Sequence, residues 1–138
     1  MDSLTFKPGR VFLSSNSTQV PWAAVFEDEG PAGYFYACDR SYEKHEEAIL
    51  DAMLIYNVSS LEDPERERIA SVQWSRDGLR AVLYIDGTPQ AHIDFALRES
   101  FCRSNFPNFL EEQGSRWKTH SHAWDDAAMA RFEAALYS

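Results

Sequence analysis

The sequence predicts an α+β domain: a mainly antiparallel, meander-like β-sheet with two principal amphipathic helices, one central and one C-terminal. Residues 69–95 alternate apolar and polar side chains, which is typical of strands that bury one face. Residues 42–56 and 121–136 instead carry apolar side chains at helical spacing. The 138 residues show no linker or repeat, so we expect one domain spanning residues 1–138.

Three short strands are predicted before the central helix, at residues 11–14, 20–27 and 32–39. Their valines and aromatic residues favour a pleated, half-buried surface. Gly30, Pro31 and Gly33 mark a turn between the second strand and the third. These two strands are therefore expected to pair as a hairpin.

The two helices are predicted from apolar stripes and N-cap residues. Ser41 is a candidate N-cap for the central helix, and Ser121 for the C-terminal one. The central stripe consists of Ile49, Ala52, Met53 and Tyr56. The C-terminal stripe consists of Trp124, Ala128, Phe132, Ala135 and Leu136.

The alternation within residues 69–95 predicts three antiparallel strands and constrains both loops between them. Cross-strand partners must face the same side of the sheet. An even loop is needed at the first turn, and a two-residue Asp77–Gly78 turn supplies it. An odd loop is needed at the second, where we expect three residues, 85–87, with Gly87 at positive φ. Leu83 should then share a face with Ala91.

Composition argues against several classes of function. The net charge is −9, from 22 acidic and 13 basic residues, so a nucleic-acid ligand is not expected. No apolar run reaches the ~20 residues that span a membrane, and no signal pattern is present, so a cytoplasmic location is expected. Cys38 and Cys102 are unpatterned and should be free thiols. No phosphate-binding glycine motif occurs, and no cofactor is expected.

The predicted hairpin turn carries three consecutive acids, Glu27, Asp28 and Glu29. Next to Tyr34 and Tyr36, they could form a docking site for a protein partner, for which basic charge would be complementary. The alternative is an ordinary solvated turn with no functional role.

Two histidine clusters are candidates for chemistry. His92 and Asp94 share a strand face, and with Arg103 they could support general acid–base catalysis in a small hydrolase. The alternative is a solvated cross-strand pair. His120, His122 and Asp125 have suitable metal-binding side chains, but their spacing favours surface or capping roles, so no bound metal is expected.

The chain resembles a family of small bacterial proteins of unknown function over most of its length. The resemblance implies no catalytic residue. It rests on Gly33-Tyr34-Phe35-Tyr36-Ala37, on Trp74-Ser75 with Asp77-Gly78, on Asp94-Phe95, and on His122-Ala123-Trp124-Asp125-Asp126.

We therefore expect an acidic, non-catalytic bacterial binding protein that is similar in size and charge to the immunity proteins that neutralise toxins. A small hydrolase, with or without a metal, is the alternative. A buried, convergent pocket around His92 and Asp94 would favour the enzyme, whereas an exposed aromatic and acidic patch would favour the binding protein.

Overall fold

The structure, a computed structural model, describes residues 1–104, Trp117 and residues 122–136. These residues form two antiparallel β-sheets, one of five strands and one of four, with one longer helix near the C-terminus. The class is mainly β. The predicted α+β class with two principal helices is therefore wrong, because the central helix is absent.

The four-stranded sheet consists of consecutive strands, whereas the five-stranded sheet combines the first strand of the chain with the last four. The four-stranded sheet has the order β2 (Val11–Asn16), β3 (Trp22–Asp28), β4 (Ala32–Asp39) and β5 (Ile49–Asn57). The five-stranded sheet has the order β1 (Asp2–Phe6), β6 (Arg68–Trp74), β7 (Arg80–Ile85), β8 (Thr88–Asp94) and β9 (Glu99–Cys102). The helices are α1 (His45–Ala48) and α2 (Asp126–Leu136), and a 3-10 turn spans Val58–Ser60.

The core lies between the inner faces of the two sheets. The four-stranded sheet contributes Phe26, Phe35 and Met53, and the five-stranded sheet contributes Leu83 and Ile93, all fully buried. Burial of apolar side chains of this size stabilises a fold by about 1.5–3 kcal/mol each. The two sheets therefore hold each other in place.

The segment predicted as the central helix is mostly strand β5. Only four of its residues form α1, and β5 pairs along β4 with two irregularities in register, at which Leu50 and Ile55 are the extra residues. Each extra residue increases the spacing between successive inward-facing side chains from two residues to three. Asp51, Met53 and Tyr56 therefore face the core, whereas Ile49 and Ala52 of the predicted helical stripe pair with outward-facing residues of β4. The predicted stripe thus combined residues from both faces of one strand.

The two later hairpins have the predicted faces but not the predicted loops. Ser75 N–H donates to the Arg80 carbonyl (2.8 Å), so the first loop has four residues instead of two, which is still an even number. The second is a two-residue turn with Asp86 at φ 51° and Gly87 at φ 80°. The three-residue loop was therefore wrong, whereas the positive φ of Gly87 is confirmed.

A register shift supplies the odd residue that the second hairpin needs. Leu83 pairs with Ala91, and Tyr84 pairs with Pro89, which leaves Gln90 as the extra residue. The predicted sharing of one face by Leu83 and Ala91 is confirmed, because both lie in the core between the sheets.

Helix α2 covers part of the outer face of the five-stranded sheet. Its Met129 and Phe132 pack against Val82 and Phe101. Asp125 caps its first turn, since Asp125 Oδ1 accepts a hydrogen bond from Ala128 N–H (3.0 Å). The Ser121 cap predicted from sequence lies outside the described residues. None of the helices in the described part of the chain is long and apolar enough to cross a membrane.

Candidate functional site

A pocket of about 290 Å³ lies between the outer face of the five-stranded sheet and the start of α2. Strand register brings its polar residues together, because Arg80 pairs with Asp94 and Val82 pairs with His92. Alternate residues of a strand share a face, so Arg80, His92 and Asp94 all point outward. The remaining charged residues of the lining are Glu99, Asp125 and Arg131.

His92 forms part of this lining and is only 3% exposed. Its ring stacks on Phe101 (centroids 4.7 Å apart) and meets the edge of Phe132 (5.8 Å). Neither ring nitrogen has a hydrogen-bond partner among the residues that the structure describes. Burial, followed by the charge of Arg80, lowers the pKa of His92 to about 4, so the imidazole is neutral at pH 7.

Two carboxylates of the pocket lining already accept hydrogen bonds from the backbone, whereas its guanidinium groups form no salt bridge within the described part of the chain. Asp94 Oδ1 accepts hydrogen bonds from Ala96 N–H and Leu97 N–H (both 2.9 Å), and Asp125 caps α2 as described above. Among the described residues, Arg80 and Arg131 form no ion pair with a carboxylate. The unused hydrogen-bonding capacity is therefore richest in donors.

The predicted hydrolase residues are only partly brought together. His92 and Asp94 line the same pocket, but Arg103 does not. Its guanidinium lies over the Trp124 ring (4.1 Å to the centroid), and its Nε donates to the Pro89 carbonyl (2.6 Å). Ser100, the one hydroxyl residue among the described residues of the lining, donates its hydroxyl proton to Asp51. The described part of the lining therefore presents no free nucleophile.

A second buried polar cluster joins the two sheets to the segment before α2. Asp51 Oδ2 accepts hydrogen bonds from the Ser100 hydroxyl and from His122 Nε2 (2.9 Å). Cys102 N–H donates to the His122 carbonyl (3.0 Å). All three side chains of the cluster are buried, so Asp51, Ser100 and His122 form a buried structural network.

The predicted metal ligands are not brought together. His122 points to Asp51, Asp125 caps α2 at the surface, and His120 lies outside the described residues. Within the described chain, no group of three potential ligands among histidine, cysteine, aspartate and glutamate is close enough to hold a metal ion. Cys38 and Cys102 are both buried free thiols, as predicted.

The acidic turn contains one structural residue and two accessible ones. Asp28 is only 2% exposed, and it accepts hydrogen bonds from Gly9 N–H (2.6 Å), Gly30 N–H (2.8 Å) and the Tyr56 hydroxyl (2.7 Å). Asp28 is therefore not available to a partner, contrary to the prediction. Glu29 is exposed and Glu27 is half-buried.

The outer face of the four-stranded sheet carries the remaining residues of the predicted docking site. Tyr34 and Tyr36 stack on each other (6.1 Å between centroids), and burial, followed by the charge of Glu27, raises the pKa of Tyr36 to about 12. Glu27 pairs with Tyr34 on one side and with Phe12 on the other. Farther along this face lies a groove of about 600 Å³, lined in part by Phe12, Val25, Cys38, Tyr42 and Glu43.

Sequence reasoning missed Arg80 and Arg131 as pocket residues. The face of Arg80 could have been predicted, because the parity argument that puts Leu83 and Ala91 on one face puts Arg80, His92 and Asp94 on the other. No local signal marks Arg131, since its place depends on how α2 docks on the sheet.

Fold and site together define a mainly β, two-sheet domain with a partly enclosed polar pocket. The chain belongs to the bacterial family described as "Uncharacterized protein conserved in bacteria (DUF2251)", whose family model matches residues 6–133. This confirms the family resemblance predicted from the sequence.

An uncharacterized protein of Haemophilus influenzae (strain ATCC 51907 / DSM 11121 / KW20 / Rd) is 35% identical over 86 residues. The match covers 62% of this chain and 52% of that relative, so it spans about half of the relative's length. No solved structure is significantly similar to the chain.

Proposed function

We propose that the protein is a non-catalytic binding domain that docks a basic protein partner on the outer face of its four-stranded sheet. The observation that carries the proposal is the side chain of Phe12, which is 58% exposed beside Glu27. A large exposed apolar side chain costs solubility, and aromatic residues flanked by charge are common anchors of protein interfaces.

Charge supports a basic partner over an acidic one. The chain has a net charge of −9, and Glu27, Glu29 and Glu43 lie at or near the margins of this face. Lys7 and Arg10 line the hollow beside Glu27 and Glu29, and Arg40 lines the groove with Glu43, so basic residues offset the local acidic charge. The net charge of −9 on the whole chain would still attract a positively charged partner.

A toxin that the protein neutralises in the bacterial cytoplasm is the specific partner that we propose. The hydrolase alternative has less support, because the described lining of the pocket around His92 lacks Arg103 and a free nucleophile. A gene for a basic toxin beside the gene for this protein would be consistent with the antidote role.

The test is to capture the partner from the native host and to measure its association rate with two charge-matched variants. Glu27→Lys/Glu29→Lys alters the proposed face, whereas Glu65→Lys/Glu67→Lys alters exposed positions before β6 by the same charge. We expect the first variant to associate about tenfold more slowly at low salt, with the difference shrinking as salt rises. Equal rates for the two variants would contradict the proposal.

A further inference from the structure

We propose that the pocket beside His92 binds a small molecule through an oxyanion, either a carboxylate or a phosphate group. The pocket lies on the outer face of the five-stranded sheet, whereas the proposed partner surface lies on the four-stranded sheet. The inference is therefore independent of the proposed function, and either one can fail without the other.

The first argument is the unsatisfied imidazole. Buried polar side chains in native proteins nearly always have a hydrogen-bond partner, and exceptions call for a functional explanation. His92 is held rigidly between Phe101 and Phe132, so it cannot easily turn toward another protein group. It lines a polar cavity that is large enough for a bound molecule to supply the missing partner.

The second argument is the balance of donors and acceptors. Arg80 and Arg131 each carry five N–H donors, and the neutral imidazole of His92 adds one. Two of the three carboxylates, those of Asp94 and Asp125, are already engaged by backbone N–H groups. A ligand rich in acceptors fits this balance best, and guanidinium groups bind carboxylate and phosphate oxygens with well-matched geometry.

The third argument is size. A volume of about 290 Å³ is at the lower end of the range of about 300–1,000 Å³ that is typical of small-molecule sites. The pocket suits a molecule of metabolite size. Glu99 is the remaining carboxylate of the described lining. It could accept a hydrogen bond from a hydroxyl or amine elsewhere on that molecule.

The test is a titration of the full ¹⁵N-labelled chain with inorganic phosphate in one arm and succinate in the other, followed by amide chemical shifts. Sodium chloride at matched ionic strength and glycerol serve as the non-specific anion and the neutral polar control. We expect saturable shifts at the amides of His92, Ser100 and Ala128 below about 10 mM of at least one oxyanion. The arm that saturates identifies the source of the oxyanion.

Three variants make the result decisive. Arg80→Gln and Arg131→Gln should each weaken binding by about tenfold, because each removes charge-assisted hydrogen bonds. Arg10→Gln, an exposed arginine between β1 and β2, should leave binding within about twofold of the wild type. Absence of saturation with both oxyanions, equal shifts with glycerol, or equal affinity in all three variants would overturn the proposal.

Discussion

The two buried histidines of the described chain have opposite environments. His122 is enclosed between the sheets, and its Nε2 lies 2.9 Å from a carboxylate oxygen of Asp51. His92 is buried almost as deeply under α2, but both of its ring nitrogens lack a partner in the described part of the chain. The His122 ring is hydrogen-bonded within the cluster that joins the two sheets, whereas the His92 ring lines a cavity that is large enough for a ligand.

This difference distinguishes a structural histidine, His122, from one that is free to bind a ligand, His92. A buried hydrogen bond that is fully satisfied fixes the position of its members, whereas a buried group without a partner costs free energy. The Asp51 cluster joins β5, β9 and the segment before α2, so it positions the helix that forms one wall of the pocket. The hydrogen-bonded His122 thus helps to position a wall of the pocket that His92 lines.

The largest expected effect comes from removing the hydrogen-bond acceptor of His122. Asp51→Ala leaves the buried His122 and the Ser100 hydroxyl without their acceptor. We expect the free energy of unfolding to fall by about 3–5 kcal/mol, as it does when one partner of a buried pair is removed. Urea denaturation followed by far-ultraviolet circular dichroism measures it.

The exposed ion pair between Arg66 and Asp86 (3.0 Å) is the control for that experiment. Arg66→Ala should cost less than about 1 kcal/mol, because exposed ion pairs contribute little. A loss for Asp51→Ala that is no larger than the loss for Arg66→Ala would show that the buried cluster does not hold the fold together.

A smaller effect of opposite sign is expected for the unsatisfied histidine. His92→Phe removes two unpaired nitrogens, keeps an aromatic ring between Phe101 and Phe132, and can use the adjoining cavity for its extra volume. We expect the free energy of unfolding at pH 7 to rise by about 1 kcal/mol. His122→Phe, the matched change in the satisfied ring, should instead lower it.

The gain from His92→Phe should grow as the pH falls. The pKa of His92 is about 4 in the folded protein, whereas an unfolded histidine has a pKa of about 6.5. Between these values the unfolded state binds a proton that folded His92 does not, so the wild type loses stability as the pH drops through this window. The variant lacks this loss, and its advantage should increase by about 2 kcal/mol between pH 7 and pH 5. An advantage that is independent of pH would contradict a neutral, buried His92.

The sequence predicts strands well where the alternation is regular and fails where bulges interrupt it. The shared face of Leu83 and Ala91 followed from parity alone, although the hairpin carries the odd residue at Gln90 instead of in the turn. In β5 the predicted helical stripe combined apolar residues from both faces of the strand, because two extra residues, Leu50 and Ile55, interrupt the alternation. Strand β1 was missed because its partner β6 is distant in sequence, and β9 because it has only four residues.

The features of the candidate site likewise divide into those that a local sequence pattern predicts and those that depend on distant segments. Local alternation correctly placed His92 and Asp94 on one strand face, but burial of that face depends on α2, which follows more than 30 residues later in the sequence. The inward position of Asp28 could have been predicted from the sequence, since Asp28 lies on the same strand face as the buried Ala24 and Phe26. Its hydrogen bonds to Gly9 and Tyr56 join distant segments that no local pattern connects.

The most direct test of the contrast between the two histidines is the side-chain ¹⁵N spectrum of the ligand-free protein as a function of pH. The signals are assigned with the His92→Phe variant. The account predicts that His92 remains neutral at pH 6 and titrates with a pKa of about 4. A pKa of His92 near 6.5 would show that its ring is hydrated or paired with a charge, and it would contradict the claim that this buried histidine awaits a ligand.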